Sequence, residues 1–394
     1  MTSPDNIEEK EEIKKIPDLK VAQWQFLIAN PEYDPRLKQT EVKPKLLDAI
    51  LTNEMAPYYK SMCKEWGVPI DDKLLHEISE KNEKRLKELG EAIKDAEENL
   101  GETEVRDAWH RKAEYLCQIG DKENCLTAFR KTFEKTVGVG RKIDLVLQQI
   151  RVGLFYMDHQ LISANLAKAK DLIEQGGDWD RKNRLKAYEG LYALAIRDFK
   201  RAADLFLDAV STFTSYELMT YEELVFYTVI AAMLALERND LRDKLVKGAD
   251  VQEQLFSQKS VRQYLMALYD CDYAGFFNGL AAIEPRLKFD RITAPHYAYY
   301  TRAMRVKSYK QLLSSYRSLT LKSMAETFGV SIDFIDKELH QLIASNALHC
   351  KIDRVRGVVA TNQLDSKNWQ YQAVIKHGDI LLNRVQKMSR VINA

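Results

Sequence analysis

The chain is 394 residues long and nearly neutral, with 59 basic residues, 58 acidic residues and 45% hydrophobic residues. This much apolar material can pack one to three domains, which excludes a disordered or fibrous chain. Glycine (16) and proline (9) are scarce. Because strand-rich folds need many turns made of these residues, we predict a mainly α-helical protein. The near-zero net charge argues against bulk binding to nucleic-acid phosphates or to a membrane surface.

No targeting or membrane-spanning segment is expected. The first twenty residues alternate in charge where a signal peptide would have an apolar core. The longest strongly apolar run without a charge, Leu224 to Leu236, has 13 residues and is too short to span a bilayer. The five cysteines are scattered and odd in number, which favours a reducing, intracellular compartment.

Residues 1–17 are predicted to form a flexible tail, and residues 18–105 an N-terminal helical segment. Prolines interrupt the first part of that segment, and each predicts a helix boundary. They are Pro31, Pro35, Pro44 and Pro57. From residue 71 to residue 100, glutamate–lysine pairs spaced i,i+4 and a thin apolar stripe indicate a charged helix or helix pair. The simpler interpretation is a solvated helix that packs on one side, and the alternative is a coiled-coil site for a partner.

Residues 106–305 are predicted to form a right-handed, tetratricopeptide-like helical solenoid. Three aspartates, Asp121, Asp158 and Asp198, are 37 and 40 residues apart, and each is expected at the joint of a helical hairpin. A small residue four positions later would let the paired helix approach, and a large apolar residue eight positions later would fill the gap to the next hairpin. These residues are Cys125, Ile162 and Ala202, then Phe129, Leu166 and Phe206.

Residues 306–362 change character and predict a winged helix with a small β-hairpin. Leu319-Thr320-Leu321 is a short β-like start, followed by a helix to Phe328 and a turn at Gly329. Ser331 is expected to cap a second helix, and Asn346 to end it. Two apolar runs, 348–352 and 355–360, then form the hairpin. The second helix carries an apolar stripe at helical spacing, namely Ile332, Ile335, Leu339, Leu342 and Ile343.

Residues 363–394 are predicted to form a C-terminal amphipathic helix with a heptad seam. The seam consists of Val374, Gly378, Leu381, Val385, Met388 and Ile392. Two interpretations stay open. The helix either packs on the chain's own domain or joins a bundle with helices from other chains.

The sequence contains no catalytic or phosphate-binding motif, and we expect no enzymatic activity, no metal and no cofactor. His340, His349 and Cys350 are the best candidates for metal ligands, but no further cysteine or carboxylate stands at ligand spacing. Two carboxylates flank a tryptophan at residues 178–180, where a helix start explains them better than acid–base chemistry does.

A winged helix raises the possibility of a nucleic-acid partner. The second helix argues against it, because residues 331–345 contain Asp333, Asp336 and Glu338 against Lys337 alone. A helix of net charge −2 would face phosphates with the wrong sign. We therefore expect no direct nucleic-acid binding, although the hairpin itself is basic.

The stretch from Ser318 to Asp353 resembles the winged-helix half of the PCI domain family. The resemblance lies in Leu319-Thr320-Leu321, Met324-Ala325, Gly329-Val330-Ser331, Leu342-Ile343 and Cys350-Lys351-Ile352-Asp353. It implies a helical solenoid followed by a winged helix, with the PCI region starting at about residue 190. Members of this family build the proteasome lid, the signalosome that removes Nedd8, and a translation initiation factor.

Further runs resemble the proteasome-lid branch of the family from Pro17 onward. They include Gly176-Gly177-Asp178-Trp179-Asp180-Arg181 and Leu381-Leu382-Asn383-Arg384-Val385-Gln386-Lys387. This resemblance implies a non-catalytic scaffold subunit of the cytoplasm and nucleus. The implied partners are other PCI subunits and the deubiquitinase subunits of the lid, and the ATPase ring and core particle in the whole proteasome. The largest PCI subunit of the signalosome is the alternative.

We expect two surfaces to make these contacts. The first is the terminal heptad seam, represented by Val374, Leu381, Val385, Met388 and Ile392. The second is an exposed β edge of the winged helix, because an unpaired edge is a template for a neighbour's strand. Its candidate residues are Leu348, Cys350, Ile352, Val355 and Val358.

Overall fold

The computed structural model describes residues 15–66, 71–99, 101–361 and 366–392. The predicted tail, residues 1–17, therefore lies outside the described residues as far as residue 14. The chain divides into two compact units, the first made of residues 1–262 and 283–297, the second of residues 263–282 and 298–394. Helices dominate, and the strands form a three-stranded sheet, so the predicted fold class is confirmed.

The first unit contains the helices α1 to α14. They are α1 (Leu19–Ala29), α2 (Pro35–Leu37), α3 (Lys43–Thr52), α4 (Ala56–Trp66), α5 (Asp72–Asn99), α6 (Glu102–Ile119), α7 (Lys122–Glu134), α8 (Val139–Tyr156), α9 (His159–Gly176), α10 (Trp179–Ala195), α11 (Phe199–Val210), α12 (Tyr221–Ala235), α13 (Arg238–Leu241) and α14 (Ala249–Ser257). Single π-helical turns cover Lys38–Val42 and Arg242–Val246.

The remaining helices are α15 (Lys259–Tyr269), α16 (Tyr273–Phe289), α17 (Tyr297–Ser315), α18 (Leu321–Phe328), α19 (Ile332–Ala344) and α20 (Ser366–Ile392). A 3₁₀ turn covers Ala294–His296, and the strands are β1 (Ser318–Thr320), β2 (Cys350–Asp353) and β3 (Val358–Thr361).

Proline boundaries in the N-terminal segment agree with the sequence. Pro35, Pro44 and Pro57 lie in the first two positions of α2, α3 and α4. A proline costs nothing there, because the first backbone N–H groups of a helix have no partner inside the helix. The charged segment that follows is a single helix, α5, which buries Ile78 and Ile93 on one side.

The three hairpin joints form where the aspartates predicted them. Asp121, Asp158 and Asp198 each begin a helix by accepting the backbone N–H three residues later, at 3.2, 3.1 and 3.1 Å. The residue before each aspartate is in the left-handed region, with φ of +80°, +53° and +69°. These residues are Gly120, Met157 and Arg197. The left-handed residue ends one helix and the aspartate starts the next, so the chain reverses within two residues.

Each joint pairs two helices: α6 with α7, α8 with α9, and α10 with α11. The predicted repeat positions are all buried, at most 6% exposed. Close approach is visible at Gly190 in α10, where an added methyl group would stand 2.6 Å from the Phe206 ring. The large apolar residue eight positions after Asp198 therefore needs a glycine opposite it.

The second unit contains a further hairpin joint that sequence analysis missed. Cys271 is in the left-handed region (φ +63°), and Asp272 accepts the backbone N–H of Gly275 at 3.0 Å. Four and eight residues after this aspartate, Phe276 and Leu280 are buried, as in the other copies. The joint connects α15 to α16, so the repeat pattern extends beyond Asp198.

The winged helix in the second unit is confirmed, and its sheet has the order β1-β3-β2. Thr320 caps α18 and Ser331 caps α19 by accepting backbone N–H groups at 3.1 and 3.3 Å. Asn346 follows α19 with φ +57°, in the left-handed conformation that its position required.

One expectation about the sheet is wrong. The second apolar run, 355–360, was expected to lie at an exposed edge. Instead, β3 is the central strand, because β1 pairs with it through Leu319 and Val359 on the side opposite β2. Val355 lies in the turn before β3. Of the two predicted runs, β2 alone lies at an edge of the described sheet.

Candidate interaction surfaces

The terminal helix α20 is exposed along its whole described length. From residue 367 to residue 392, every side chain is exposed except Ala373, which is half-buried. The predicted contact residues are 61–76% exposed. They are Val374, Leu381, Val385, Met388 and Ile392. In the described residues, α20 does not bury its seam on the chain's own domain.

The apolar face of α20 is wider than the heptad seam. Further large apolar side chains stand at least 60% exposed along the same helix. They are Trp369, Tyr371, Ile375, Leu382 and Val391. Contiguous apolar surface of this kind marks an interaction site. Covering one such side chain contributes about 1.5–3 kcal/mol before the entropy cost of ordering.

The winged-helix candidates divide into core and surface. Leu348 and Cys350 are 4% and 5% exposed and belong to the hydrophobic core of the second unit. Burial also raises the pKa of the Cys350 thiol. Ile352 and Val358 are half-buried, whereas Val355 is 97% exposed at the tip of the hairpin. A neighbour can therefore reach Val355 and the backbone edge of β2, but not the side chains of Leu348 and Cys350.

The acidic residues of α19 are used mostly inside the winged helix. Glu338 is bound by Arg305, whose Nε lies 3.0 Å from its carboxylate, and by the Tyr309 hydroxyl. Asp336 pairs with Arg354 of the hairpin. Asp333, the third acidic residue of α19, is exposed. The negative charge predicted for the outer face of α19 is therefore smaller than the residue count suggested.

Apolar side chains occupy the exposed start of α19. Ile332 is 46% exposed and Phe334 is 40% exposed. A helix that reads DNA presents cations and hydrogen-bond donors at this end, which faces the groove. Apolar residues here favour contact with protein.

A cavity of about 510 Å³ lies in the first unit, lined by parts of α1, α8, α12 and residues 285–292. Its half-buried acid, Asp290, accepts hydrogen bonds from the hydroxyls of Tyr227 (2.9 Å) and Thr293 (3.2 Å). Burial raises the pKa of Asp290. Arg291 donates to two carbonyl oxygens in the last turn of α8, at 3.0 and 2.6 Å, and burial lowers its pKa. These hydrogen bonds join α8, α12 and residues 285–292 within the first unit.

A buried charge network, which sequence analysis missed, lies between α8, α10 and the segment after α11. Glu217 is fully buried and accepts from Arg184 at 2.8 Å and from the Tyr188 hydroxyl at 3.3 Å. Asp144 binds Arg184 and Arg181 at 3.4 and 2.8 Å. Burial is the largest single influence on the pKa of Arg184 and lowers it, but the combined interactions with Glu217, Tyr188 and Asp144 outweigh burial, and the pKa is raised.

Among the residues that the structure describes, no three His, Cys, Asp or Glu side chains come together in a way that could hold a metal ion. His340 and His349 are exposed, whereas Cys350 is buried, so the sequence candidates do not form one site. Within the same described ranges, none of the helices has the length and apolar character needed to cross a bilayer.

Three family models match the chain in succession. The model described as 26S proteasome subunit RPN7 matches residues 71–244, and the PCI domain matches residues 273–363. The third, described as the 26S proteasome regulatory subunit RPN7/PSMD6 C-terminal helix, matches residues 370–392. The helix left exposed in the structure is therefore a separate, recognisable part of the family.

Relatives align over almost the full length. The Caenorhabditis elegans 26S proteasome non-ATPase regulatory subunit 6 is 51% identical over 393 residues, which cover 98% of this chain and 96% of that protein. The Arabidopsis thaliana homologue of that subunit is 46% identical, covering 96% and 97%. The Saccharomyces cerevisiae 26S proteasome regulatory subunit RPN7 is 36% identical, covering 96% and 94%. The chain therefore belongs to the family of the 26S proteasome non-ATPase regulatory subunit 6, or RPN7.

Proposed function

We propose that the chain is a non-catalytic structural subunit of the lid of the 26S proteasome regulatory particle, held there by its terminal helix. The observation that carries this proposal is α20, a 27-residue helix whose apolar seam is exposed in the chain and matches a family model of its own. An uncovered seam of this length is unfavourable in water. Helices from other subunits would cover it in a bundle.

A scaffold role fits the rest of the chain. The first unit is made of helical hairpins, and stacked hairpins give the extended surfaces that repeat proteins use for binding. The half-buried Asp290 and Arg291 beside the cavity are engaged in hydrogen bonds that stabilise the unit. The relatives are named non-ATPase regulatory subunits, which supports a role without catalysis.

The winged helix would contribute the second contact, with a neighbouring PCI subunit. The edge of β2 offers backbone hydrogen-bonding groups to a strand of the neighbour. The exposed Val355 lies in the turn that directly follows β2. The other proposed partners are the deubiquitinase subunits of the lid, and the ATPase ring and core particle of the whole proteasome. The proposed location is the cytoplasm and nucleus, and direct nucleic-acid binding is not part of the proposal.

Val355→Glu tests the second contact. Because Val355 is 97% exposed, the variant should fold and melt like the parent chain. A charge placed in a packed interface lowers affinity, so we expect weaker recovery of the neighbouring PCI subunit, by about tenfold. Val137→Glu is the matched control, since Val137 is 82% exposed in the first unit. Equal recovery with both variants would remove the hairpin from the interface.

The whole proposal is tested by purifying the tagged full-length chain from cells under mild salt with ATP. We expect a particle of megadalton size that degrades a ubiquitinated substrate when ATP is present. The signalosome is the alternative outcome, and it would be identified by a smaller complex that removes Nedd8 from cullins and degrades nothing. A chain recovered alone, with neither activity, would contradict both assignments.

A further inference from the structure

Three glycines in the middle of helices, Gly153, Gly190 and Gly279, mark points where another helix passes closely. An added methyl group on Gly153 of α8 would stand 2.7 Å from Ile162 of α9, and one on Gly190 would stand 2.6 Å from Phe206. In the second unit, Gly279 of α16 would meet Tyr264 of α15 at 3.1 Å. In each case a large side chain of the neighbouring helix, branched or aromatic, occupies the space that the glycine leaves.

Gly378 also lies in the middle of a helix, but no side chain of a neighbouring helix in the described part of the chain lies beside it. It lies in the middle of the seam of α20, between Val374 and Leu381. Among the described residues, none comes within 4 Å of an added methyl group there. Glycine is the poorest helix former apart from proline, so its presence there opposes the formation of α20. Gly90 also has open space, but it lies in α5, whose apolar stripe is already buried. The chain itself gives no packing reason for Gly378.

The charge of α20 restricts what can cover the seam. Between residues 367 and 392 the helix carries five lysines and arginines against one aspartate, Asp379, a net charge of +4. Two copies of this helix would therefore repel each other, which argues against a second copy of the chain. Arg384 is next to Val385, where an acidic residue of a different helix could pair with it.

We propose that Gly378 is the point of closest approach in the lid bundle, where a helix from a different chain crosses α20. The crossing helix places a large apolar side chain, branched or aromatic, over Gly378, and carries acidic residues on its flanks toward the basic side of α20. This inference rests on the proposed function, since it requires that the bundle exists. Beyond the proposed function, the inference identifies the residue of α20 at which the partner helix crosses and the side chains that this helix carries.

The test is the incorporation of Gly378→Ala and Gly378→Leu into the lid, compared with the parent chain. Alanine and leucine are better helix formers than glycine, so a purely local role predicts unchanged or better incorporation. If a helix crosses at Gly378, larger side chains should incorporate less well. We expect incorporation to fall by about threefold for alanine and by more than tenfold for leucine. Asn383→Leu adds the same side chain outside the seam and should incorporate normally. Normal incorporation of Gly378→Leu would overturn the inference.

A second measurement separates this inference from the proposed function. Leu381→Asp/Val385→Asp should be excluded from the lid if the bundle exists at all. If that variant is excluded while Gly378→Leu assembles normally, the close approach is refuted and the bundle stands. If both assemble normally, the bundle itself is refuted. A benzophenone photo-cross-linker at position 382, one turn after Gly378 and beside the seam, should attach to a helix of another chain, and attachment to a second copy of this chain would contradict the inference.

Discussion

Replacing Leu381 and Val385 by aspartate should keep the chain out of the proteasome lid while leaving both of its units folded. The two side chains are 62% and 61% exposed in the chain, so the charges cost nothing before assembly. In a bundle the same positions would be buried, and an unpaired buried charge costs several kcal/mol. We expect incorporation to fall by at least a hundredfold, measured by the recovery of other lid subunits with the tagged chain.

The control for this variant is Asn383→Asp, which adds a negative charge to α20 outside the seam and should assemble normally. Thermal unfolding of the free chains should be the same for the parent and both variants. Normal assembly of the double variant would show that the seam is not an assembly surface, and early melting would mean that α20 supports the fold of the chain instead.

Arg184→Leu should produce the largest loss of stability in the first unit. The change leaves the Glu217 carboxylate, which is fully buried, without its cationic partner at 2.8 Å. Breaking a buried ion pair from one side costs about 3–5 kcal/mol, because a charge stays behind without compensation. Urea unfolding, followed by circular dichroism, measures the difference from the parent chain.

The Arg184→Leu/Glu217→Leu double variant should regain most of that loss, since the Glu217 carboxylate no longer remains buried without Arg184. Lys186→Leu is the matched control on the same helix. Lys186 pairs at 3.2 Å with Asp208, whose side chain is 65% exposed, and such pairs contribute roughly 0–1 kcal/mol. If Arg184→Leu costs no more than Lys186→Leu, or if the double variant is no better than the single one, the buried pair does not hold the unit together.

The hairpin joints could be predicted because a local rule produces them. An aspartate that caps one helix directly after a left-handed residue is visible in the sequence, and the buried positions follow at fixed distances. The joint at Asp272 was missed because 74 residues separate it from Asp198 and the intervening chain breaks the period.

Partners that are distant in sequence were harder to predict. The apolar pattern predicted β2 and β3 as a hairpin, but it did not show which of the two strands pairs with β1. The prediction of an exposed edge therefore included residues of β3, which is the central strand. The contact between Glu217 and Arg184 could not be predicted, because a sequence does not reveal that two distant charges meet in the interior. The partners of the acids of α19 could not be predicted for the same reason. Glu338 faces Arg305 and Tyr309, which belong to a different helix.

The terminal helix marks the limit of sequence analysis in this chain. A heptad seam indicates that something must cover the apolar face, but the spacing is the same whether the cover comes from the same chain or another. The exposure of Val385 and Met388 excludes the first case for the described residues. The glycine in the seam was visible in the sequence, and its meaning became clear only beside the occupied glycines of α8, α10 and α16.

Hydrogen exchange of the backbone amides in α20 tests the central claim most directly, because it requires no substitution. In the free chain, residues 367–392 form an exposed helix without tertiary cover, and their amides should exchange rapidly. In the purified particle the same amides should exchange at least a hundredfold more slowly, most strongly around Gly378 and Leu381. Equal exchange rates in the free chain and in the particle would contradict the account that α20 is the helix that holds this subunit in the lid.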